Sequence, residues 1–173
     1  DGTTQGHQSE LWAQHLVDEF IKNPIFDIES FSNFISEKSQ SYNDEIKSSN
    51  DDNDKSNQSI EWLINKKKKQ GSSATFIAIS IEGNEYKAIS YGDSKLFLIR
   101  EGKIKESFPN GKNNTFINSE LKSFKSENIK IQTGDIEPGD RILVVSDALA
   151  DFMEKNPNNN KMVVSLSSFD EFK

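Results

Sequence analysis

Apolar positions near the start of the chain recur every three or four residues. Leu11, Trp12, Leu16, Val17 and Phe20 form one stripe, Ile21 flanks it, and Asn23-Pro24 closes the run. That spacing predicts an amphipathic helix with one face on a core, opened by Ser9 as its N-cap. Phe31, Phe34 and Ile35 predict a second helical stretch. The apolar pattern then lapses. Residues 39–59 are rich in Ser, Asn and Asp and are expected to form a low-complexity polar loop. Ile60-Glu61-Trp62-Leu63-Ile64 resumes a helix that ends in Lys66-Lys67-Lys68-Lys69, since cations suit a helix C-terminus.

After Gly71-Ser72-Ser73 the pattern becomes strand-like. Ala74 to Ile81 is apolar and β-branched, Gly83-Asn84 makes a hairpin turn, and Tyr86 to Tyr91 returns. Gly92-Asp93-Ser94 is a second turn, Lys95 to Ile99 a third strand, and Glu101-Gly102 a third turn. Short connections of this kind predict an antiparallel meander. A polar segment from Pro109 to Asn128 follows, then a short strand from Ile129 to Gln132 before Gly134-Asp135. Gly139-Asp140 feeds Arg141 and four apolar residues, Ile142 to Val145, which read as a buried strand. That strand ends on Ser146-Asp147 and a helix-like segment starts at once. Asn156 to Asn160 reads as a loop, and Ser167 to Lys173 as the start of a helix. Helices, then a meander, then strand and helix predict an α+β fold built on antiparallel sheets.

Composition narrows the function. A net charge of −7 argues against a general nucleic-acid binder, which needs a basic footprint. There is no cysteine, so disulfides, thiolate nucleophiles, zinc knuckles and iron–sulfur clusters are excluded. No apolar run approaches ~18 residues, so no membrane-spanning helix is expected. Without a visible signal peptide the expected location is cytoplasmic. Neither a P-loop nor a Gly-x-Gly-x-x-Gly pattern occurs. Asp51, Asp52 and Asp54 superficially suggest calcium, but the glycine that an EF-hand loop requires is missing. At 173 residues the chain is expected to be a single domain, residues 1–173.

The chemistry of interest lies where strand meets helix. Asp147 stands at the C-terminal end of the predicted strand, and Asp151 follows one helical turn later on the same face. Two hard oxygen ligands held in this way suit Mg²⁺ or Mn²⁺. Taken alone, Asp147 reads more readily as an N-cap than as a ligand. Asp1-Gly2 is another candidate ligand pair. Among the histidines, His7 falls in the loop before the first helix and His15 within it, where a surface or packing role is expected.

Three segments, in this order, resemble the metal-dependent protein phosphatases of type 2C, the PPM group. Asp1-Gly2-Thr3-Thr4-Gln5-Gly6, followed by Glu10-Leu11-Trp12-Ala13-Gln14-His15-Leu16-Val17, is similar to the family's Asp-Gly motif and its helix. Gly71-Ser72-Ser73-Ala74-Thr75 and Ala88-Ile89-Ser90-Tyr91-Gly92-Asp93-Ser94-Lys95 resemble its Gly-Ser-Thr-Ala strand and its Val-Gly-Asp-Ser-Arg hairpin. Ser146-Asp147-Ala148-Leu149-Ala150-Asp151 is similar to its Ser-Asp-Gly-Leu-x-Asp.

The resemblance implies a four-layer αββα sandwich of two antiparallel β-sheets flanked by helices, with a cleft at one edge holding two Mn²⁺ or Mg²⁺ ions. It implies hydrolysis of phosphoserine and phosphothreonine in proteins, with a phosphoprotein as the partner. By position, Asp1 would bridge the metals, Gly2 would give its carbonyl to one and Asp147 would bind the other. Asp151 would stand beside the site, where some members bind a third, weaker ion. Asp93 would tie a turn near the site and is not expected to be a ligand. The family's upstream acidic pair and phosphate-gripping Arg, and its late Asp, have no counterpart here. Truncation at both ends is one expectation from this, and an inactive, phosphatase-like binding or regulatory module is the other. Ala148 replaces the usual Gly, which would strain the chain if that position needs a positive φ. Thr3 stands where many members carry a His.

Overall fold

The computed structural model describes residues 8–50, 71–111 and 114–155. The Asp1-Gly2 pair, His7, the Ile60–Ile64 helix with its lysine run, the aspartates at 51–54 and both tail elements lie outside the described residues.

Helix α1 spans Ser9–Lys22 and buries Trp12, Leu16 and Phe20, while Leu11, Val17 and Ile21 stay exposed. The buried stripe is therefore narrower than the sequence suggests. Ser9 does not cap the helix. Gln8 takes that position in a left-handed conformation (φ 54°), and the Ser9 hydroxyl instead accepts the Ser73 backbone N–H at 3.2 Å. Helix α2 spans Ile28–Asn50, and Asp27 caps its start by accepting the Ser30 N–H at 2.8 Å. That bond holds the Asp27 carboxyl below its usual range. The first part of the segment expected to be a polar loop is thus helical, and residues 51–59 lie outside the described ones. The reason is a sparse stripe: Ile35, Ser39, Tyr42 and Ile46 continue the inward face at helical spacing.

Among the described residues eight strands follow. They are β1 (Ser73–Ala74), β2 (Phe76–Glu82), β3 (Glu85–Tyr91), β4 (Lys95–Arg100), β5 (Lys103–Phe108), β6 (Ile117–Asn118), β7 (Lys130–Asp135) and β8 (Arg141–Val145). Helix α3 spans Asp147–Lys155. All pairings are antiparallel, in the orders β2-β3-β7 and β5-β4-β8, with a small β1-β6 ladder beside them.

Strand alternation explains the layering. Ile77 and Ile79 of β2, Ala88 of β3, Leu96 and Leu98 of β4 and Ile142 of β8 belong to one cluster, which is the seam between the two sheets. The opposite face of the first sheet, with Phe76, Ile89 and Tyr91, packs under α1 and α2. The opposite face of the second, with Phe97, Ile99 and Val145, packs under Ala150 and Met153 of α3. The result is the four-layer αββα sandwich. Burying each Leu of the seam is worth about 1.5–3 kcal/mol.

Polar ties set how the layers sit. Buried Trp12 donates its indole N–H to the Ile117 carbonyl at 2.9 Å, and Asn43 donates to the Ser119 carbonyl at 2.7 Å. Between the sheets, Tyr86 donates to Glu106 at 2.7 Å and accepts from Gln132 at 2.6 Å. Burial and the Glu106 carboxylate push the Tyr86 phenol up to about 12. No helix of the described residues is long and apolar enough to cross a membrane.

Candidate active site

The site is assembled by one strand pairing. Strand β8 lies against β4 with Lys95 opposite Val145 and Leu96 opposite Val144. Continuing that antiparallel register two residues past the ladder brings Asp93 and Asp147 to the same sheet end, although they are far apart in sequence. Helix α3 starts at Asp147, and its first turn is closed by the Ala150 N–H donating to the Ser146 carbonyl at 3.0 Å. Asp147 is therefore the first helical residue, one position past the N-cap. Asp151 follows one turn on. A cavity of about 70 Å³ is lined by Asp93, Lys95, Gly111, Asn114, Asp147, Ala150 and Asp151.

The Gly92-Asp93-Ser94 turn is held tightly. Gly92 has φ 113°, and a Cβ there would lie 2.7 Å from Cγ2 and 2.8 Å from Cβ of Thr75. The Thr75 and Ser94 hydroxyls are hydrogen-bonded at 2.8 Å and both residues are buried. The Gly-Ser-Ser-Ala-Thr segment and the Gly-Asp-Ser turn thus lock together, which fixes where the Asp93 carboxylate emerges. Half-burial pushes the Asp93 carboxyl above its usual range, and the nearby Asp147 charge pushes the same way.

On the helix side, Lys95 is almost fully buried and donates its ammonium to the Glu154 carboxylate. Asp151 pairs with Lys155 at 3.1 Å on the exposed flank of α3. Ala148 lies within α3 and is not among the residues with positive φ, so the replacement of glycine introduces no strain there. His15 stacks on Trp12 with ring centroids 6.0 Å apart and tilts against Tyr42 at 5.4 Å, a packing role.

Of the sequence-derived site residues, Asp147 and Asp151 come together in the cavity, and Asp1 and Gly2 lie outside the described residues. Asp93, which the resemblance put in a turn near the site, and Lys95, to which no role there was assigned from the sequence, join the cavity lining. Three hard carboxylates around one small cavity match the oxygen-donor chemistry of Mg²⁺ or Mn²⁺. Among the described residues no three Asp, Glu, His or Cys side chains converge closely enough to hold an ion by themselves.

No protein-family model matches the chain, and no curated protein matches it. Solved structures do. The serine/threonine phosphatase PstP/Ppp of Mycobacterium tuberculosis aligns with TM-score 0.51 at 18% identity, over 87% of this chain and 67% of its own. PppA, a key regulatory component of T6SS in Pseudomonas aeruginosa, aligns with TM-score 0.53 at 15% identity, over 97% of this chain and 71% of its own. The photosystem II phosphatase PBCP aligns over 55% of this chain at 19% identity with TM-score 0.39, which adds nothing to the assignment. This chain spans 44% of that PBCP chain. The α+β sandwich is therefore the fold of PstP/Ppp and PppA.

Proposed function

We propose that this chain is a metal-dependent protein serine/threonine phosphatase domain, acting on phosphoserine and phosphothreonine of a protein partner. The observation that carries the reading is the β4–β8 pairing, which gathers Asp93, Asp147 and Asp151 at one sheet end on a fold shared with a serine/threonine phosphatase. Asp147 and Asp151 would hold Mn²⁺ or Mg²⁺ from the helix side. Asp1 and the Gly2 carbonyl, by resemblance, would complete a site for two ions. What such ions supply when bound is a water acidified toward neutral pH and neutralisation of the phosphoryl oxygens. The residues of the chain supply the rest. The Thr75–Ser94 lock fixes the turn that presents Asp93, and α3 presents Asp147 and Asp151 one turn apart. With no cysteine in the sequence, a thiolate intermediate is not available to this chain.

The test is phosphate release from a phosphothreonine peptide by the full-length protein, with Mn²⁺ and with a chelator. Release that requires Mn²⁺ supports the proposal, and equal release under both conditions refutes it. The alternative, a non-catalytic phosphatase-like binding module, makes a different prediction. It predicts phosphopeptide binding without phosphate release.

A further inference from the structure

Lys95 opens β4 and is only 7% exposed. Lysine is rarely this buried unless its charge is paired. Its ammonium donates to Glu154 of α3, so the tie runs from the second sheet to the helix that covers it. In the β4–β8 ladder Lys95 faces Val145, two residues before Asp147. Glu154 lies one turn beyond Asp151 and two turns beyond Asp147, so all three carboxylates share a helix face. At nine residues α3 is too short to be stable alone and depends on what it packs against. Ala150 and Met153 seat it on Phe97, Ile99 and Val145. Apolar contacts of that kind set its distance from the sheet and are weakly directional. A hydrogen-bonded ion pair is directional.

We propose that Lys95 is a positioning residue for the candidate metal site. By holding Glu154 it fixes the rotation of α3 about its own axis, and with it the approach of Asp147 and Asp151 to Asp93. The inference rests on the metal-dependent reading above. Its sign separates it from simple electrostatics. Deleting a cation beside a carboxylate-lined cavity should tighten cation binding. Loss of a supporting contact to metal ligands weakens it, typically 10–100-fold.

The experiment is calorimetric titration of the full-length protein with Mn²⁺, alongside electron paramagnetic resonance of the bound ion and thermal melts. Lys95→Met is expected to weaken Mn²⁺ binding at least about tenfold and to broaden the bound-ion signal, and Lys95→Arg to restore both. Glu154→Gln should weaken binding too, and the double variant should add little beyond either single change. Lys95→Met binding Mn²⁺ as tightly as wild type, or more tightly, overturns the proposal even if the melting temperature falls. Should Lys95→Met fail to fold, unchanged affinity in Glu154→Gln overturns it instead. Wild-type protein that takes up no Mn²⁺ overturns the metal reading itself, a result distinguishable from the other two.

Discussion

Replacing Gly92 by alanine tests how the Asp93 turn is built. The backbone at this position has φ 113°, a region that L side chains rarely adopt, and an added Cβ would meet Thr75 at 2.7 and 2.8 Å and the Thr115 carbonyl at 3.1 Å. Backbone strain of this kind costs about 1–3 kcal/mol. Relieving the clash moves Thr75, whose hydroxyl is bonded to Ser94 at 2.8 Å. Losing a typical intramolecular hydrogen bond adds about 0.5–1.5 kcal/mol. The sum is roughly 1.5–4.5 kcal/mol, or a urea midpoint lowered by about 0.8–2.2 M at an m-value near 2 kcal/mol/M. Gly83 is the control. It also has a positive φ, 62°, but nothing lies within 4 Å of its would-be Cβ. Gly83→Ala should therefore cost only the backbone strain, about 1–2 kcal/mol. Urea unfolding of both variants, followed by tryptophan fluorescence, gives the comparison. Equal midpoints for Gly92→Ala and Gly83→Ala would refute the claim that the Thr75 contact locks this turn.

Asp140 accepts two bonds from Arg100, at 2.8 and 2.6 Å, and the Glu137 N–H at 2.8 Å, which together hold its carboxyl at about 2. Because the folded value is depressed, this contribution to stability is fully present above about pH 4 and is lost as the pH falls through about 2. Melting temperatures from pH 5 to pH 2 should fall less steeply in Asp140→Asn than in wild type. A residual slope should remain from Glu19, which Lys22 and Lys38 also lower to about 2. Trp12→Phe strips the buried Ile117 carbonyl of its 2.9 Å donor and should cost about 1–3 kcal/mol in chemical unfolding, while Leu11→Ala on the exposed side of the same helix should cost far less.

Much of the architecture was legible in the sequence, for identifiable reasons. Helix α1, strands β2, β3 and β4 and the β8–α3 junction carry strong periodicity or clear turn residues, and each element appears where the pattern placed it. The expected meander breaks after β3, because β4 crosses to the second sheet and pairs with β5 and β8. The extension of α2 was hidden because Tyr42 and Ile46 stand alone among Ser, Asn, Asp and Lys, and composition outweighed spacing. Strand β5 reads Lys-Ile-Lys-Glu-Ser-Phe and lies at a sheet edge, so only Phe108 is fully buried and the apolar signal is thin. The ladder β1-β6 is two residues long and below what a pattern can reveal.

The same division holds at the site. Asp147 and Asp151 were visible because one local geometry, strand end into helix, places both. Asp93 and Lys95 join them only through the long-range pairing of β4 with β8, which no local spacing encodes. The family resemblance had put the Gly92-Asp93-Ser94 turn near the site, but it gave no role there to Lys95. Turning that resemblance into a contact required knowing which strands pair.

The most direct measurement of the central claim is phosphate release by Asp147→Asn in saturating Mn²⁺, with a thermal melt of the same sample. Asp147 is exposed at the start of α3 and no bond to its side chain is seen among the described residues, so the variant should melt close to wild type. Mn²⁺-dependent turnover is expected in the wild type, and its loss in the variant at nearly unchanged melting temperature. Wild-type turnover persisting in a folded Asp147→Asn protein would contradict the assignment of the active site to the β4–β8–α3 junction.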